Sequence, residues 1–158
     1  MSKPSSGLYY GTLGMLNEFL EEERADYLND PRTTIGHRGL PGPAGMKISN
    51  RLSESQMLSL TDRYGVEFAQ VYRLGEGRNG GGGQYILYSG TANQVTVPLD
   101  PKNIVIGHTH PGGSDYPSMA DLRLISALSQ LGSPQRTSAI YPNGKQTVKF
   151  TVKGSRDA

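Results

Sequence analysis

Ile104-Val105-Ile106-Gly107-His108-Thr109-His110-Pro111-Gly112-Gly113-Ser114-Asp115-Tyr116-Pro117-Ser118-Met119-Ala120-Asp121 holds the strongest chemical signal in this chain. The apolar run Ile104 to Ile106 predicts a short buried strand. Side chains alternate along a strand, so His108 and His110 point to one side. Two imidazoles one residue apart on one face can grip a single metal ion. Pro111, Gly112 and Gly113 stop the strand and let the backbone turn. Beyond the loop, Leu122, Leu124, Ile125 and Leu128 are spaced for a helix, with Asp121 in its first turn. Two His and one Asp leave a fourth coordination position for water, the arrangement of a catalytic zinc site rather than a structural one. A plainer reading stands beside it. Ser118-x-x-Asp121 is also a helix start, with Ser118 as N-cap and Asp121 reaching back. The two are compatible, and the chain spends two of its three His on this segment.

Composition bounds the rest. The 158 residues suit one domain with an extension. There is no Cys, so disulfides and thiolate metal sites are excluded. The net charge of +2, from 16 basic and 14 acidic residues, is too balanced to argue for nucleic acid or an anionic membrane. No apolar run approaches a membrane span, and no signal peptide is legible, so a cytoplasmic location is expected.

Residues 1–11 read as a loosely held terminus. From Thr12 to Asn29 the pattern is helical: Leu13, Leu16, Leu20 and Tyr27 share a face, and Glu21, Glu22 and Glu23 make a solvated acidic side. Residues 31–46, rich in Gly and Pro, read as an arm, in which His37 is a solvated side chain before it is a ligand. The expected division is an N-terminal helix and arm over 1–46, a domain over 47–154 and a tail over 155–158. Ser53 opens a helix with Gln56 completing a capping box, and Gly65 closes it. Val66 to Leu74 is a strand with Glu67 near its head. Residues 75–83, Gly-Glu-Gly-Arg-Asn and four more Gly, form a hairpin loop and not a phosphate cradle, since neither Lys-Ser/Thr nor a helix follows. Gln84–Ser89 and Asn93–Pro98 are strands. After the metal segment, the helix from Ser118 stops at Leu131-Gly132. Strands at Thr137–Tyr141 and Thr147–Val152 flank an Asn143-Gly144 turn.

A hydrolytic site of this kind needs a general base. Glu67 is the first choice, because its strand is expected beside the His strand. Glu76 is the second, but a Gly-rich loop holds a base poorly within hydrogen-bond reach. Thr109 faces away from the metal and braces the strand.

His108-Thr109-His110, the seven residues from Pro111 to Pro117, and Ser118-x-x-Asp121 match without a gap a His-(Ser/Thr)-His, seven residues, Ser, two residues, Asp pattern. The chain resembles the JAMM/MPN-domain (JAB-like) zinc metalloproteases over about residues 50–152. In layout it is similar to the RadC-like and bacterial JAB members, where a Glu heads a strand and a Ser-Gly-Thr turn follows, as Ser89-Gly90-Thr91 does here. The resemblance implies an α+β (α/β) fold with a mixed, curved β-sheet flanked by helices. It implies one Zn2+ per chain on His108, His110 and Asp121, Glu67 as general base, and Ser118 at the oxyanion. The implied substrate is a protein or peptide, cut at a peptide bond or an isopeptide bond to a ubiquitin-like modifier. Such domains also occur as toxin tips delivered by secretion systems within longer proteins. Two other functions are implied by parts of the family. A RadC-like protein acting around nucleic acid is disfavoured by the balanced charge. A non-catalytic MPN-type interaction scaffold would commonly have lost ligands, and none is missing here.

Overall fold

The computed structural model describes residues 10–14 and 40–151. The order is β1 (Tyr10–Gly14), β2 (Met46–Ile48), α1 (Glu54–Tyr64), β3 (Phe68–Arg73), β4 (Gln84–Ser89), β5 (Gln94–Pro98), β6 (Asn103–His110), α2 (Met119–Gln130), β7 (Thr137–Pro142) and β8 (Val148–Thr151). Six strands form one sheet in the order β2-β4-β3-β6-β7-β8, and β1 with β5 makes a separate ribbon. The sheet is mixed. Its pairs are antiparallel except β6 with β7, which run parallel and are joined through α2.

Period-2 alternation decides which face each strand residue buries. Ala69, Val71, Tyr88 and Ile140 pack with Leu124, Ile125 and Leu128 of α2 and with Val95 and Val97 of the ribbon. Their neighbours Phe68, Leu87, Ala139 and Tyr141 pack on the other side with Met57 of α1 and with Leu40. Among the described residues one helix therefore covers each face of the sheet. These two helices are capped as their sequences foretell. Ser53 and Gln56 form a reciprocal capping box at α1, and Gly65 closes it in the left-handed conformation (φ 74°). Ser118 and Asp121 form the equivalent box at α2.

The amino-terminal expectation needs correction. Residues 12–14 lie in β1, not in a helix, and Tyr10 and Gly11 belong to the same strand rather than to a loose end. β1 pairs antiparallel with β5, and Leu13 is fully buried in the core beneath α2. Gly11 presses against the Leu124 side chain so closely that a Cβ would collide with it. Pairing and packing with distant segments have overridden a local helical period. Residues 15–39, with Glu21, Glu22, Glu23 and His37, lie outside the described residues. β2 was not expected, and the division foreseen at 46/47 falls inside it. Among the described residues no helix is long and apolar enough to cross a membrane.

Candidate metal centre

The centre sits where the parallel crossover leaves the sheet. β6 ends at His110, and α2 begins at Met119. Strict alternation from Val105 would put His108 on the opposite face. A β-bulge prevents this: Gln70 pairs with Gly107 but Val71 pairs with Val105, so Ile106 is an extra residue. Two residues then count as one, and Val105, His108 and His110 all face α2. Gly107 takes part because the Tyr141 ring lies on it. A Cβ there would stand 2.5 Å from the phenol oxygen.

On that face the donors converge. His108 Nε2 lies 3.1 Å from His110 Nε2 and 3.0 Å from Asp121 Oδ1, and His110 Nε2 lies 3.3 Å from Asp121 Oδ2. All three residues are fully buried. Among the described residues they are a group of His and acidic side chains that could hold a metal ion. Ligands at about 2.05 Å around a tetrahedral zinc stand about 3.3 Å apart, so the three atoms already have close to the spacing of a coordination face.

Hydrogen bonding fits an ion as well. His110 Nδ1 lies 2.9 Å from the Ser114 carbonyl, which can only accept, so Nδ1 carries the proton. Nε2 therefore presents its lone pair to the centre, the usual second-shell orientation of a metal-bound histidine. That lone pair faces a carboxylate, another acceptor, and a cation or proton shared among the three would relieve the conflict. His108 Nδ1, also buried, has no hydrogen-bond partner among the described residues. Asp121 is aimed by its cap: Ser118 N–H donates to Oδ2 (2.9 Å) and Asp121 N–H donates to Ser118 Oγ (3.1 Å). The helix cap and a carboxylate turned toward the two imidazoles thus coexist in one geometry. The backbone of His110 is anchored too, its carbonyl accepting from Gly113 N–H (2.9 Å) and Asn143 N–H (3.1 Å).

Glu67 immediately precedes β3. Extending the Ala69–His108 register by two residues sets it beside His110, on the ligand face. It is fully buried but does not belong to the group of three donors. Its own backbone is clamped by the Ser-Gly-Thr turn. Glu67 N–H donates to Thr91 O (2.8 Å), and Gly90 N–H donates to Glu67 O (3.0 Å). Glu76 lies past the far end of β3, exposed and 2.8 Å from Lys102, whose hydrogen bond holds its carboxyl below the ordinary range. The structure does not bring it to the centre. Thr109 points away from the donors, as expected, and hydrogen-bonds with Thr61 of α1 (2.6 Å). Sequence reasoning passed over Thr61 and the Ser114 carbonyl. A threonine inside an amphipathic helix and a backbone carbonyl in a loop carry no distinguishing mark.

No protein-family model matches the chain, and no curated protein or solved structure matches it significantly.

Proposed function

We propose that this chain is a zinc-dependent metallopeptidase of the JAMM/MPN type, hydrolysing a peptide or isopeptide bond in a protein or peptide substrate. The observation that carries the reading is the convergence of His108 Nε2, His110 Nε2 and the Asp121 carboxylate within 3.0–3.3 Å, with the His110 tautomer set by the Ser114 carbonyl. Three protein ligands leave room for a fourth from solvent. Support for the family's fold comes from the mixed six-stranded sheet with a helix on each face, in which His108 and His110 sit at the carboxyl end of a strand and Asp121 in the first turn of the helix that follows.

His108, His110 and Asp121 would hold the ion. When bound, zinc supplies a Lewis acid that acidifies water and polarises the scissile carbonyl. Glu67, buried on the same face, accepts the water proton at its carboxylate and passes it to the departing amine. Ser118 Oγ already accepts from Asp121 N–H, so its own O–H is the group that donates to the developing oxyanion. The near-complete burial of these side chains excludes bulk water and strengthens each of these interactions.

The test is cleavage of a panel of unstructured peptides and linked ubiquitin-like chains, with and without chelator, beside metal analysis. About one zinc per chain and chelator-sensitive cleavage are expected. Tight zinc with no cleavage of any substrate would favour the scaffold, and a folded protein that takes up no zinc would end the proposal.

A further inference from the structure

We infer that Thr109 and Thr61 form a directed hydroxyl relay that positions Glu67 against the ligand strand; this rests on the proposed function. Thr109 lies between the two ligand His, on the face away from them. Its Oγ accepts from Phe68 N–H (3.0 Å) and stands 2.6 Å from Thr61 Oγ. Thr61 Oγ donates to Val66 O (2.9 Å). Each hydroxyl has one proton. The Thr61 proton is committed to Val66, so the Thr109 proton must go to Thr61. The direction is therefore fixed: Phe68 N–H to Thr109, Thr109 to Thr61, Thr61 to the Val66 carbonyl. All of it is buried, Thr109 at 0% and Thr61 at 4% exposure.

The two ends of this relay are the peptide groups on either side of Glu67. Its own N–H and C=O are held by Thr91 and Gly90. All four backbone polar groups from Val66 O to Phe68 N–H are thus tied, two of them through the residue between the ligands. A side chain, not a ladder bond, takes the Phe68 N–H at this point of the β3–β6 pair. Any shift of β6 that moved His108 and His110 would carry Glu67 along. Thr109 and Thr61 touch no reacting atom; they are positioning residues, coupling ligands and base so that both move together.

The experiment compares Thr109→Val, Thr61→Val, Thr109→Ser and the double Val variant in the zinc-loaded full chain. Zinc affinity, read by chelator competition, should stay within about threefold of wild type, because no ligand is removed. Amide exchange at Phe68 should quicken about tenfold or more in Thr109→Val. Turnover should fall on the order of 10²-fold with KM unchanged, as for a base displaced by a fraction of an ångström. Thr109→Ser should restore both readings, and the double variant should be no worse than Thr109→Val alone. Should Thr109→Val not fold, Thr61→Val breaks the same relay from α1, away from the ligand strand. Wild-type turnover and exchange in the Val variants would overturn the inference. So would zinc affinity falling in step with turnover, which would make the pair a brace for the ligands alone. A loaded wild type that cleaves nothing overturns the proposed function and the kinetic half of this inference, while exchange at Phe68 still decides whether the relay holds the Glu67 backbone.

Discussion

Glu67 is fully buried on the ligand face, and Glu76 is exposed beside Lys102 at the other end of β3. A base must be held within reach of the water it serves, and of these two Glu67 is the one on the face of the two imidazoles. Glu67→Gln keeps the volume and the three ligands, so zinc uptake should be unchanged while turnover drops by about 10²–10⁴-fold. Glu76→Gln should leave both at wild-type levels. Steady-state kinetics with metal analysis on the two variants decides this, and an active Glu67→Gln would remove the residue from the mechanism. A second single-residue prediction concerns Tyr141. Burial pushes its phenol above the ordinary value of 10.0, with the Glu54 charge adding to the effect and Arg51 opposing it. A raised folded-state value leaves stability intact below about pH 10 and removes it as pH rises further, because the unfolded chain ionises first. Tyr141→Phe should flatten that alkaline limb in pH-dependent melts. If the limb is equally steep without the phenol, another group is responsible.

Ser118 belongs to two elements at once, the cap of α2 and the edge of the candidate metal centre. Ser118→Ala removes the hydroxyl but leaves the Ser118 N–H on Asp121 Oδ2. Loss of the cap should cost about 1 kcal/mol in denaturant melts. Zinc affinity should fall less than tenfold, while turnover drops by about 10²–10³-fold if the hydroxyl serves the oxyanion. A variant that loses stability but keeps its turnover would show a cap and nothing more. This element was legible because cap chemistry is local: Ser118 and Asp121 are three residues apart, and so are Ser53 and Gln56 at α1. The bulge at Ile106 was not legible, since it exists only relative to β3. Counting along β6 gave the shared face of His108 and His110, which follow the bulge, whereas the relation of that face to Val105 is set by the bulge and escapes any count along one strand. β1 was misread for a related reason. Leu13, Leu16 and Leu20 have a helical spacing, yet the partner that fixes Leu13 is β5, more than eighty residues along the chain. β2 is only three residues long beside a Pro/Gly-rich stretch, too short for any period to declare itself.

At the scale of the whole molecule, β6 is where the sheet changes character, antiparallel to β3 on one side and parallel to β7 on the other. The parallel step forces the chain out through α2, so the end of β6 and the start of α2 meet at the edge of the sheet. Crevices of this kind, at the carboxyl ends of strands, are where α/β folds place their ligands. The ion would close that junction, tying His108 and His110 to Asp121 across the loop 111–117. Without it, two imidazoles and a carboxylate are packed together in the protein interior, which is costly unless a proton or cation is shared among them. Metal binding should therefore stabilise the whole domain, not only the loop. A ligand that binds the folded state alone adds about 2.7 kcal/mol at a concentration one hundred times its Kd. For a domain of this size that is a rise in Tm of about 5–10 °C. Thermal melts with zinc and with excess chelator should differ by that amount in the wild type and coincide in His108→Ala. A wild type whose Tm ignores the chelator, while zinc is measurably removed, would place the ion outside the folding energetics and weaken the case that these three side chains hold it.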